Sequence, residues 1–173
     1  MNPSKNVLII GHNGLIGSCL YSCLIKNNLR VDIIEEKINS ESIINITNKM
    51  RDTSYDAIFN CAWPLINKYL SVEANIQATD FIYNLKEIVK SLKSFNRLYL
   101  IGSCLEFGYS DNLNRILDDS TSFAEPYDQF TFSKYLSRRV FSSYKGKIFY
   151  AIPFYVYSEL SKKGLFKYLK NNI

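Results

Sequence analysis

Apolar residues along this 173-residue chain come in short runs parted by polar stretches, and the runs alternate between two periodicities. Residues 7–10 form an unbroken run of four β-formers. Apolar positions then recur at Leu15, Ile16, Cys19, Leu20, Cys23 and Leu24, which predicts a helix over 15–27 with one buried face. Cys19 and Cys23 fall on that face as small apolar packing groups. Asn27-Asn28 ends the helix, and residues 31–34 are a second short strand. The run Ile43-Ile44-Asn45-Ile46 is expected as a third strand followed by a short helix over 47–53, and 56–62 as a fourth strand that Trp63-Pro64 breaks. Helical spacing returns over 72–92, with Ile76, Phe81, Ile82, Leu85, Ile88, Val89 and Leu92 on the apolar face. A fifth strand is expected at 97–101, a helix at 130–144 and a sixth strand at 148–152. Residues 109–127 are polar and aperiodic, a long surface loop of the kind that often carries substrate contacts. A lysine-rich amphipathic stretch at 160–169 is expected as a surface helix in preference to a membrane anchor.

Strand and helix alternating in this way predict an α/β fold, a doubly wound parallel sheet with helices on both faces. The length suits a single domain over residues 1–173. With 47% hydrophobic residues and only 7 Gly and 4 Pro, low-complexity behaviour is not expected. The net charge of +5 is dispersed, with mild concentrations at Arg138-Arg139 and in the last dozen residues, so solvated surface is favoured over a nucleic-acid patch. Four cysteines without a C-x-x-C pair and a single His predict no metal site and reduced thiols. Only four consecutive apolar residues precede Gly11, too few for a signal or spanning segment, and a soluble cytoplasmic protein is expected.

The candidate chemistry begins at residues 7–17, V-L-I-I-G-H-N-G-L-I-G, where a buried strand runs through Gly11, Gly14 and Gly17 into a helix. Such a turn offers unpaired backbone N–H groups and the positive end of a helix dipole to an anion, which suits a dinucleotide pyrophosphate. Glu35 lies 18 positions beyond Gly17 at the end of the second strand. A parallel strand returning after one crossover helix places that end beside the glycine turn, where a carboxylate can accept hydrogen bonds from ribose hydroxyls. The same charge repels a 2′-phosphate and favours NAD over NADP, with Lys37 nearby as a countervailing charge. Glu35 and Glu36 can equally be read as loop charges. Cys61 and Ala62 are small enough to let a flat ligand approach the fourth strand.

These elements resemble the extended short-chain dehydrogenase/reductase family, specifically its NAD-dependent nucleotide-sugar epimerases and dehydratases, over essentially the whole chain. The resemblance is carried by G-H-N-G-L-I-G at 11–17, Glu35, Y-D-A-I-F-N-C-A at 55–62, Asn75, G-S-C-L-E-F-G at 102–108, S-K at 133–134 and I-P-F-Y-V-Y at 152–157. It implies bound NAD contacted by Gly11, Asn13, Gly14, Leu15, Ile16, Gly17, Glu35, Asn45, Ile46, Cys61, Ala62, Asn75 and Lys134. It also implies transient oxidation of a sugar carbon, then epimerisation, dehydration or reduction of the keto sugar. Ser103 and Lys134 match the family's catalytic serine and lysine. The tyrosine four residues before that lysine is Phe130, which has no hydroxyl to transfer a proton. Tyr135 points about 100° from Lys134 on a helix, and Tyr127 lies about 10 Å back along the axis.

The family's Arg-Pro is Ile152-Pro153 here, and Asn45 stands where members usually carry an Asp facing the adenine. Complete members also continue into a substrate domain, most of which this chain lacks. The partners expected are a nucleotide-sugar and a second copy of the chain, with no nucleic acid and no membrane. Two further readings stay open: a non-catalytic member serving as a binding or scaffold subunit, and the N-terminal part of a longer enzyme.

Overall fold

A computed structural model of the chain describes residues 5–63, 72–107, 125, 129–144 and 146–152. Five strands, β1 (Asn6–Ile10), β2 (Arg30–Ile34), β3 (Ser54–Asn60), β4 (Ser94–Ile101) and β5 (Ile148–Ala151), alternate with four helices. The helices are α1 (Leu15–Lys26), α2 (Ile43–Met50), α3 (Val72–Ser91) and α4 (Gln129–Phe141). A 3-10 turn, Cys104–Phe107, follows β4. All pairings are parallel and the strand order is β2-β1-β3-β4-β5. The chain thus winds outward from β1 to β2, then returns past β1 and proceeds the other way. Right-handed crossovers put α1 on one face and α2, α3 and α4 on the other. This is a Rossmann-like doubly wound sheet, and its winding reverses between β1 and β3.

The core lies on the face shared by α2, α3 and α4. Leu8, Ile10, Ile58, Leu98 and Leu100 of the sheet meet Ile82, Leu85, Ile88 and Val89 of α3 and Phe141 of α4, all of them buried. Ile46 of α2 belongs to the same cluster. On the α1 side, Val7 and Ile9 are buried, and farther along the sheet Phe59, Tyr99 and Phe149 stack across β3, β4 and β5. Their ring centroids are 4.5 Å and 5.2 Å apart. Arg97 lies over the Phe149 ring.

Several expectations are corrected, among them Ile76, which is exposed on α3 and does not join the buried face with Phe81, Ile82 and Leu85. Residues 43–46 form the start of α2 and not a third strand, so the described sheet has five strands where six were expected. The isoleucines suit either structure, and the local turn chemistry decides: Asn39 Oδ1 accepts the N–H groups of Glu41 and Ser42, a turn that launches the helix. Ile43 and Ile46 then face the core at helical spacing, while Ile44 is two-thirds exposed. Cys19 and Cys23, expected on the buried face of α1, are exposed. Gly17 sets that rotation. It is the buried residue of α1, and a Cβ on it would lie 2.1 Å from the Gly11 carbonyl oxygen, so the face carrying residue 17 is drawn inward and the cysteines turn out.

The amphipathic stretch at 160–169, the loop at 109–127 except Glu125, and Tyr127 lie outside the described residues. Gly17→Ala is expected to push α1 off the turn and lower stability by about 3 kcal/mol. Chemical denaturation of the two proteins measures the difference.

Candidate functional site

At the carboxyl ends of the strands the chain leaves β1 through Gly11, whose φ of 82° is a backbone conformation that L side chains rarely adopt. Space also demands glycine there: a Cβ would lie 2.6 Å from the Ala62 nitrogen. Gly14 donates its N–H to the Gly11 carbonyl and then caps α1. The first intrahelical acceptor is the Gly14 carbonyl, taken by Ser18 N–H, so the N–H groups of Leu15, Ile16 and Gly17 project from the helix end without helical partners. No acidic residue occupies that first turn. The predicted pyrophosphate contacts thus share one backbone feature.

A cavity of about 620 Å³ opens beside this turn. Its walls are Gly11, His12 and Asn13 from the turn, Glu35 to Asn39 after β2, Ala62 and Trp63 after β3, and Gln77, Asp80 and Phe81 of α3. The loop after β2 is tied to α3 by a 2.7 Å hydrogen bond from Ser40 Oγ to Asp80 Oδ1, which closes the far wall. The structure separates two carboxylates that the sequence left equivalent. Glu36 is held in an ion pair by Lys49 of α2, which keeps its pKa below the usual carboxylate value, whereas Glu35 is exposed at the cavity wall. Several buried polar atoms near this edge of the sheet lack a hydrogen-bond partner: His12 Nδ1, Asn60 Oδ1, Trp63 Nε1 and Asn75 Oδ1. Such atoms fit a site that a polar ligand completes.

Of the cofactor contacts expected from sequence, Gly11, Asn13, Glu35 and Ala62 line the cavity, and Gly14, Leu15, Ile16 and Gly17 form the adjoining helix end. Asn45 and Ile46 are not brought to it. Asn45 is exposed on α2 and Ile46 is 1% exposed in the core, because residues 43–46 are helical. Cys61 extends the ladder with its N–H to the Ile10 carbonyl, and burial pushes its thiol up to about 11, which makes it a poor nucleophile. Asn75 sits in the first turn of α3 and is not among the residues that line the cavity. His12, Asn39, Gln77, Asp80 and Trp63 were missed. Gln77 and Asp80 are spaced i, i+3 on one helix face, a signal available in the sequence but indistinguishable there from a solvated face.

Lys134 lies beyond Trp63, and Ser103 follows the end of β4. Lys134 is a buried lysine, 7% exposed, on the inner face of α4. Its Nζ donates to the Ile101 carbonyl at 2.9 Å and stands 3.7 Å from the Trp63 ring centroid and 5.5 Å from that of Phe130. The indole face and the carbonyl stabilise the charged form, and burial opposes them, pulling the pKa down to about 7. Ser103 is placed by Glu106, whose Oε1 accepts the Ser103 N–H at 2.7 Å and whose other oxygen pairs with Arg138 of α4. Glu106 is buried, so this ion pair fixes the turn after β4 against α4. Tyr135 faces away, near Phe132 and Arg139.

The fold is that of a doubly wound α/β domain with a crevice at the point where its winding reverses. The sequence profile of the NAD dependent epimerase/dehydratase family matches residues 7–171, and the chain belongs to that family. No curated protein sequence matches the chain. Among solved structures, the Bordetella bronchiseptica enzyme WbmH in complex with NAD+ is similar at 13% identity and a TM-score of 0.70, over 98% of this chain and 64% of that one. A putative epimerase from Burkholderia cenocepacia gives 16% identity and a TM-score of 0.74, over 98% and 60%. The dTDP-4-dehydrorhamnose reductase of Bacillus anthracis, in complex with NADP, gives 14% and 0.66, over 96% and 59%. The chain therefore spans about three-fifths of the length of these relatives. No helix among the described residues is long and apolar enough to cross a membrane.

The low pKa of Lys134 has a stability consequence. Between pH 7 and about 10 the unfolded chain binds the proton that the folded chain has released, so this group makes stability rise with pH across that window. Lys134→Met is expected to abolish that component. Thermal melts of the two proteins at pH 7 and pH 9 measure it, as the difference between their pH slopes.

Proposed function

We propose that this chain binds NAD in the crevice between the glycine turn and α3 and acts in nucleotide-sugar metabolism, of the kind that feeds surface polysaccharides. The carrying observation is the cavity in which Gly11, Asn13, Glu35 and Ala62 converge beside the bare N–H groups of α1. Those N–H groups would hold the pyrophosphate, and Glu35 would accept from the adenosine ribose hydroxyls. NAD supplies the hydride acceptor when bound. On the protein side, Ser103 would hydrogen-bond a substrate hydroxyl, and Lys134 would fix the second ribose. The family membership and the name of the Bacillus anthracis reductase support a nucleotide-sugar as substrate. A homodimer through the outer faces of α3 and α4 fits the exposed Ile76, Tyr83 and Phe132 there.

A second reading, a binding or scaffold subunit without turnover, is favoured by Phe130. No hydroxyl stands at the position from which a proton would be taken, and the nearby Lys134 is covered by Trp63.

Calorimetric titration is expected to give saturable NAD binding, with NADP at least about tenfold weaker and Glu35→Ala narrowing that gap. Absence of NAD binding up to about 1 mM would overturn the proposal. For the second reading, Phe130→Tyr is expected to remain without turnover across a panel of nucleotide-sugars. Appearance of reduced-nicotinamide absorbance in that variant would sink the scaffold reading and mean that the rest of the machinery is assembled.

A further inference from the structure

In a doubly wound sheet a dinucleotide lies across the point where the strand order reverses, one mononucleotide on each side. Here that point is between β1 and β3, and the first residues past β3 are Cys61, Ala62 and Trp63. The β2 side of the crossing is open: Gly11, Asn13, Glu35 and Asn39 line the cavity. The β4 side is different. Trp63 borders the cavity, packs edge-on against Phe81 of α3 at 5.8 Å, and has the Lys134 ammonium 3.7 Å from its ring centroid. Lys134 in turn is 7% exposed and is absent from the cavity wall. A ligand in the cavity thus meets the indole before it can meet Lys134. The indole N–H is buried without an acceptor, so the ring is held by contacts with its faces and edges and no hydrogen bond fixes it.

We propose that Trp63 closes the second-mononucleotide half of the crevice, so that the chain takes adenosine diphosphate compounds lacking a second base, such as ADP-ribose, about as tightly as the whole dinucleotide. The inference rests on the nucleotide-binding reading above and concerns which part of the ligand contributes affinity. The nicotinamide nucleoside enters only when the indole leaves the Lys134 ammonium, and the apparent affinity for its half is reduced by the rarity of that displaced state. Removing the indole makes this half of the crevice available and exposes Lys134 to the second ribose.

The test is calorimetric titration of wild type, Trp63→Ala and Trp63→Leu with ADP-ribose and NAD, with circular dichroism to check folding. Wild type is expected to bind the two ligands within about threefold of each other, and either variant to prefer NAD by about tenfold or more. Wild type preferring NAD by about tenfold or more overturns the proposal whatever the variants do. A variant that folds and leaves the ratio near one overturns it too. If wild type binds neither ligand, the nucleotide-binding reading itself falls, an outcome distinct from both. Trp63 is the one tryptophan of the chain, so its emission gives an independent readout: saturation with either ligand is expected to leave its quenching by acrylamide unchanged, and a marked rise with NAD alone overturns the closure.

Discussion

Backbone touches backbone where α1 crosses the end of β1, with room for no side chain at position 17 and almost none at 11. That contact fixes three things together. It sets the distance of the helix end from the sheet, it aims the N–H groups of Leu15, Ile16 and Gly17 along the crevice, and it chooses which face of α1 turns inward. The remaining walls are arranged around a position already determined by two missing Cβ atoms. Ala62, the nearest neighbour of a side chain placed on Gly11, continues the requirement for small residues into the segment after β3.

The other half of the edge is organised by charge. Glu106 and Arg138 lock the Ser103 turn to α4, and Lys134 on the same helix points back at the Ile101 carbonyl and the Trp63 ring. Buried ions are kept where each has a partner, and here the partners are a carboxylate, a carbonyl and an aromatic face. The same contacts that make these groups tolerable also restrain them. A lysine already satisfied by an indole and a carbonyl must give up part of that arrangement before it can hold a ligand.

Much of this was readable in the sequence. The glycine spacing and the alternation of short apolar runs with helical periods agree with the doubly wound sheet. The failures occurred where two interpretations use the same letters. Ile43-Ile44-Asn45-Ile46 suits strand and helix alike, and a side-chain turn at Asn39 decided between them. Cys19 and Cys23 satisfied a helical period whose phase was fixed elsewhere, by Gly17. The roles of Glu35 and Glu36 depended on Lys49, thirteen residues past Glu36. Trp63 could be read only as the end of a strand, since its contact with Lys134 joins residues 71 positions apart.

The stacked rings of Phe59, Tyr99 and Phe149 bear on how the molecule breathes. β5 has four residues and is an edge of the described sheet, and Phe149 and Tyr150 on it are each more than one-third exposed. A strand so placed belongs to the low end of the range of local opening energies, while β1 and β3, covered on both sides, belong to the high end. Ring stacking from Phe149 to Tyr99 ties that edge strand to β4, two strands away from the β1 end that carries the glycine turn.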